Sequence, residues 1–177
     1  MNSIKEIFRI GAGPSSSHTM GPQRAAKIFL ERNPRSASFK VSLFGSLAAT
    51  GKGHLTDKAI LEVLEPHAPV QIEWLPKIFL PFHPNAMTCA INSENEVLDT
   101  WTVYSIGGGA LSEENRPPIG EISDVYDMSH LSDILRWCEH SGRSYWEYVE
   151  EREGVDIWEY LSEVWKNMKE CIQRGLD

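Results

Sequence analysis

The sequence predicts an α+β fold: a mixed or antiparallel sheet with flanking helices over residues 1–126, then a helical segment over 127–177. Three observations carry that expectation. Residues 38–44, 70–74, 87–91 and 97–106 read as strands, and the helical patterns between them keep no strict βαβ alternation. Residues 113–126 hold Pro117, Pro118 and Gly120 and make the best boundary. Beyond that stretch every apolar pattern has helical spacing.

Residues 4–10 form an apolar lead-in to Gly11-Ala-Gly-Pro-Ser-Ser-Ser-His-Thr-Met-Gly-Pro22, five hydroxyl or imidazole side chains framed by Gly/Pro pairs that discourage regular structure. A helix over residues 23–31 follows, with Pro22 in its first turn, where a missing N–H costs nothing. Hydroxyls and free N–H groups at a helix start favour an anion, although a capped, solvated loop has the same composition. Residues 38–44 alternate apolar and polar, the pattern of a half-buried strand. They run into a second loop, residues 45–57, with three glycines, Lys52 and His54, and Thr56 or Asp57 is placed to cap the next helix. After the strand at 70–74, His83 and Asn85 sit between stiffening prolines, Pro81 and Pro84. The strands at 87–91 and 97–106 are joined by Asn92-Ser-Glu-Asn95, a hairpin signature, and the second ends in Gly107-Gly-Gly109. Three glycines there allow close backbone approach or a tight exit.

The C-terminal part reads as three helices. One starts at Ser129 and ends near Gly142; Ser144-x-x-Glu147 is a capping box for the second, closed by Gly154; a third runs from Asp156 to Gly175. On the third, Ile157, Leu161, Val164, Trp165, Met168 and Ile172 share a stripe expected to be core or interface.

Composition narrows the function classes. The formal charge of −8 resides entirely beyond residue 120, where 14 acidic residues face 6 basic ones. No basic stripe exists, so nucleic acid is not an expected partner. Charged residues interrupt every apolar run, so no membrane span is expected. Cys89, Cys138 and Cys171 lack CxxC spacing, which fits free thiols and a cytoplasmic location and makes a poor metal cage. Neither the phosphate-loop nor the dinucleotide fingerprint is complete: Ser46 and Gly53 interrupt the first, and Ser16 the second. What remains are histidines in Gly- or Pro-framed loops, His18, His54 and His83, with hydroxyl, amide and lysine neighbours. Those residues fit a small anionic ligand held by hydroxyls, N–H groups and one or two imidazoles. His67, His130 and His140 lie beside helix ends, where dipole and capping roles suffice.

Phe8-Arg-Ile-Gly-Ala-Gly-Pro-Ser-Ser-Ser-His-Thr-Met-Gly-Pro22, Gly45-Ser-Leu-Ala-Ala-Thr-Gly-Lys-Gly-His-Leu-Thr-Asp57, His83-Pro-Asn-Ala-Met87 and Tyr104-Ser-Ile-Gly-Gly-Gly109, in that order, closely resemble the β region of iron–sulfur L-serine dehydratases. The resemblance covers residues 1 to about 126, and the helices beyond resemble the start of that family's α region. It implies a lyase that converts L-serine to pyruvate and ammonia, with a [4Fe–4S] cluster whose ligands belong to the α portion and not to this chain. It also implies His54 as the first candidate base and His83 and Asn85 facing substrate. Ser16, Ser17, His18 and Thr19 would hold the carboxylate or line the cleft, and Gly107, Gly108 and Gly109 would let backbone approach. The expected partners are L-serine, the α portion and, through the helical seam, further copies of the chain. By itself the chain is expected to be inactive and colourless. The β region is similar to the allosteric substrate-binding domain of some phosphoglycerate dehydrogenases, so a non-catalytic domain binding serine or a small anion is the alternative.

Overall fold

In a computed structural model, which describes residues 1–93, 96–120 and 124–177, the chain divides into two compact units, Gly11–Ile119 and Met1–Ile10 with Gly120–Asp177.

The first unit carries the sheet. Ser16–Met20 is a π-helical turn that continues into α1 (Gly21–Arg32); β1 (Phe39–Phe44), α2 (Gly45–Thr50), α3 (Thr56–Leu64) and β2 (Val70–Leu75) follow. A loop leads to β3 (Ala86–Ser93), β4 (Glu96–Gly107) and the short β5 (Ala110–Ser112). The strand order is β2-β1-β3-β4-β5. Pairing is antiparallel except between β1 and β2, which run parallel because α2 and α3 form the crossover between them. The sheet is therefore mixed. The expected β3–β4 turn centres on residues 94 and 95, outside the described residues.

Alternation in β1 sets the two faces. Phe39, Val41 and Leu43 are buried, whereas Lys40 and Ser42 face the other way and both donate to Glu73 of β2, at 3.1 and 3.0 Å. Over the apolar face, Ala25, Ala26 and Phe29 of α1 and Ile60 and Leu64 of α3 are fully buried. The Phe29 ring lies parallel to Trp101 of β4 at 6.4 Å and edge-on to Phe39 at 6.3 Å. Small residues at 25 and 26 let the helix approach the strands closely, and Phe29 fills the space beyond them.

Three readings of the sequence are corrected here. The Ser-rich stretch is not irregular but helical from Ser16, so Pro22 falls inside a longer helical rod. Residues 45–50, read as loop, form α2, because Leu47 and Ala48 bury against the sheet and the glycines at 51 and 53 act only after it. Neither Thr56 nor Asp57 caps α3: the N-cap position is Leu55 in left-handed conformation, and the Thr56 hydroxyl bonds elsewhere. Gly45 carries φ +50, and a Cβ there would fall 2.7 Å from the Pro84 carbonyl oxygen, so glycine is required.

The second unit packs α4 (Leu131–Ser141), α5 (Tyr145–Glu153) and α6 (Ile157–Leu176) with a 3-10 turn at Ile4–Glu6. Glu147 accepts from the Ser144 N–H at 2.8 Å, the expected capping box, and Gly154 ends α5. Tyr148 is buried between Tyr126 and Trp137, and its hydroxyl donates to Asp127. Glu153 gathers the first residues: it accepts from the Ser3 hydroxyl at 2.7 Å, the Ile4 N–H at 2.8 Å and the Tyr126 hydroxyl at 2.7 Å. Burial opposes its charge, but those three donors hold the carboxyl below its usual range. Along α6, Ile157 and Val164 are buried, whereas Trp165, Met168 and Ile172 are about half exposed. No helix among the described residues is long and apolar enough to cross a membrane.

Replacing Phe29 by Ala removes the ring at the centre of the sheet–helix core. It is expected to lower stability by about 3–5 kcal/mol, measured by urea unfolding followed through tryptophan fluorescence.

Candidate functional site

The two unusual loops meet. In the π-helical turn Ser15 caps by accepting the His18 N–H at 3.1 Å, and the widened turn carries both His18 and Thr19 inward, where they are buried. Four residues on from Thr50, the turn after α2 presents His54. The loops are tied crosswise: the Thr19 hydroxyl donates to the His54 carbonyl at 2.7 Å, and the Thr56 hydroxyl donates to the His18 carbonyl at 2.5 Å. The two imidazoles then lie 4.8 Å apart, centroid to centroid.

Hydrogen-bond partners define which nitrogen of each ring carries the proton. The His18 Nε2 faces the Ser46 carbonyl at 3.3 Å, an oxygen that only accepts, so Nε2–H donates and Nδ1 accepts from the Ser17 hydroxyl at 2.9 Å. Both nitrogens of His18 are thus engaged by the scaffold. His54 has the opposite tautomer: its Nδ1 lies 3.0 Å from the Thr50 carbonyl and must donate, leaving the Nε2 lone pair without a protein partner among the described residues. Burial lowers the His18 pKa below 6.5; the Ser46 hydrogen bond opposes this, and the charge of a protonated His54 adds to it.

His83 and Asn85 belong to a strap over residues 76–85. Its Ile78 carbonyl accepts the Gly45 N–H at 2.8 Å, and its Pro84 carbonyl accepts the Ser46 N–H at 3.0 Å. A continuous run of contacts therefore links His54, His18, Ser46 and the strap. The Asn85 N–H points at His83 Nδ1 (3.1 Å), while the Asn85 side-chain amide donates to the Ser105 carbonyl. Asn85 Oδ1 and the Ser105 hydroxyl are buried without hydrogen-bond partners among the described residues. Burial also lowers the pKa of His83.

Of the hydroxyls at 15–19, Thr19 is committed to the cross-link and Ser17 to His18, whereas the exposed Ser16 hydroxyl has no partner among the described residues. The N–H groups of Ser16 and Ser17, at the open end of the helical rod, are likewise without partners among those residues. Gly107, Gly108 and Gly109 make the turn between β4 and β5, all with positive φ, and a Cβ at Gly107 would meet nothing within 4 Å. Arg24 of α1 holds that turn through the Gly109 carbonyl at 3.4 Å and donates to the Ile119 carbonyl at 2.9 Å.

Sequence reasoning missed Ser46, Thr50 and Thr56, which orient the histidines. The signal was present as a hydroxyl four residues before His54 and another two residues after it. No group of three or more His, Cys, Asp or Glu among the described residues is arranged to hold a metal ion. The cysteines do not make a cluster set: Cys89 is fully buried in β3 with its thiol pushed up to about 12 by burial, Cys138 lies on α4, and Cys171 is exposed on α6.

This site lies largely within residues 3–75, which match the family described as the serine dehydratase beta chain. The whole chain is similar to L-serine dehydratases. It is 30% identical over 225 aligned positions to L-serine dehydratase 1 of Escherichia coli (strain K12), covering 100% of this chain and 50% of that protein. With L-serine dehydratase of Streptomyces coelicolor the identity is 33%, covering 98% of this chain and 50% of the relative. With the Helicobacter pylori (strain 26695) protein it is 35%, covering 98% and 48%. The chain spans about half the length of the curated relatives it matches. The alignments run longer than the chain itself, so the relatives carry residues within the matched half that have no counterpart here.

Because burial holds the His18 pKa below 6.5 in the folded chain, the unfolded state binds the extra proton first as pH falls. Stability is therefore fully present above 6.5 and lost as pH drops from 6.5 through the folded value, with His83 contributing in the same direction. His18→Gln is expected to make that acid-side loss shallower in thermal melts run across a pH series.

Proposed function

We propose that this chain is the β portion of an iron–sulfur L-serine ammonia-lyase, which converts L-serine to pyruvate and ammonia in the cytoplasm. In this reading residues 1–126 form the β domain and 127–177 the start of the α region. The observation that carries it is the His54 ring, anchored through Nδ1–H on the Thr50 carbonyl with the Nε2 lone pair unpartnered among the described residues. Elimination from serine begins with removal of the proton on the carbon beside the carboxylate, and a neutral imidazole with one open lone pair is the base suited to that step near neutral pH. His54 Nε2 takes that proton. The N–H groups of Ser16 and Ser17, with the Ser16 hydroxyl and the dipole of the helical rod behind them, receive the substrate carboxylate. His18 spaces the two loops and makes no proton transfer, since both of its nitrogens are bonded within the scaffold.

The [4Fe–4S] cluster implied by the resemblance does not fit the three cysteines of this chain, so its ligands are assigned to the α portion that completes the site. That portion, L-serine and further copies of the chain are the proposed partners.

The chain is to be assembled anaerobically with the missing α portion and assayed for pyruvate. His54→Ala is expected to lower kcat by about a hundredfold to ten-thousandfold, and pyruvate formation at the unaltered rate would remove His54 as the base. The same assembly step supplies a control, because the chain without the α portion is expected to form no pyruvate.

A further inference from the structure

We propose that His83 presents a fixed Nε2–H to the substrate as a hydrogen-bond donor and never acts as a base. The inference rests on the serine ammonia-lyase reading for its substrate and on local geometry for its tautomer.

The Asn85 main-chain N–H lies 3.1 Å from His83 Nδ1. A peptide N–H only donates, so Nδ1 must offer its lone pair, and the proton of the neutral ring resides on Nε2. Protonating Nδ1 would set two N–H donors against each other, so the backbone opposes both the other tautomer and the imidazolium. A ring flip, which would put Cδ2 in the place of Nδ1, would cost the same bond. The strap that carries this pair is fastened at both ends. Its Ile78 and Pro84 carbonyls take the N–H groups of Gly45 and Ser46, and the Asn85 carbonyl accepts the Ser105 N–H at 2.9 Å. Pro81 and Pro84 on either side of His83 remove backbone freedom between those points. The ring itself is half-buried, and burial acts in the same sense by favouring the uncharged form. No described residue engages Nε2.

His54 and His83 are therefore opposites built by the same device. At His54 a carbonyl fixes the proton on Nδ1 and frees a lone pair, while at His83 an N–H fixes the lone pair on Nδ1 and frees a donor. Removing the proton beside a carboxylate drives negative charge onto the carboxylate oxygens. A neutral imidazole N–H aimed at one of them stabilises that charge without transferring its own proton. The ligand class is a small carboxylate that gains oxygen charge in the reaction.

Two measurements test this. Long-range proton–nitrogen NMR of the histidine-labelled chain, with the signal assigned by its loss in His83→Gln, should show the His83 proton on Nε2 and the His54 proton on Nδ1. A proton on His83 Nδ1 overturns the proposal whatever the chain does catalytically. In the assembly with the α portion, His83→Gln keeps an amide N–H near the position of Nε2. It should hold kcat/KM for L-serine within about tenfold of the unaltered chain, whereas His83→Ala should lose about a hundredfold or more. Equal losses in the two variants overturn the donor role. An unaltered assembly inert toward L-serine instead overturns the function reading, and the substrate assigned to His83 with it, even where the spectrum shows Nε2–H.

Discussion

Everything at the candidate site depends on a crossed pair of threonine hydrogen bonds. Thr19, beside His18, reaches the carbonyl of His54, and Thr56, two residues past His54, reaches the carbonyl of His18. Each hydroxyl satisfies a main-chain oxygen that the meeting of the two loops removes from water, and leaving one unmet costs about 1–3 kcal/mol. The crossing also fixes register. With the loops locked at two points, neither can slide or rotate, and the two rings are held in contact. Contact has an electrostatic result, since a positive charge on His54 opposes protonation of His18. His18 has both nitrogens bonded and partial burial, so it is the member kept neutral, and His54 is left as the one with an open lone pair.

Much of the fold was legible in the sequence because it is written in short-range patterns. Alternation over residues 38–44 gave β1 and its buried face, Ser144 and Glu147 gave the start of α5, and Gly154 gave its end. What the sequence hid depends on distant partners. The helix at 45–50 was obscured by glycines on either side of it, and Gly45 is there for the Pro84 carbonyl, a residue 39 positions away. The parallel pairing of β1 with β2 depends on the crossover, and β5 is three residues long, too short for any periodicity. At the site, the histidines stood out through their loops, but their tautomers did not. Those are set by Thr50, Ser46 and the N–H of Asn85, none of which differs in composition from an ordinary turn residue.

The stripe on α6 shows the same limit from the other side. Its spacing predicted an apolar seam, and Ile157 and Val164 do turn inward. Trp165, Met168 and Ile172 leave the other part of the seam open to solvent, a distinction that periodicity cannot draw because both sets repeat at helical intervals.

The unit that holds Glu153 is assembled from the two ends of the chain, with residues 11–119 inserted between them. The Met1 carbonyl accepts N–H groups from Val125 and Tyr126, and Ser3 and Ile4 are held by Glu153. During synthesis the first ten residues therefore leave the ribosome long before Val125, Tyr126 and Glu153 exist, by about five to thirty seconds at ordinary elongation rates. The two threonine bonds that tie the histidine loops, and the strand pairings of the described sheet residues, have both partners within that interval. The order of translation thus brings the two histidine loops together first and fastens the leading segment afterwards.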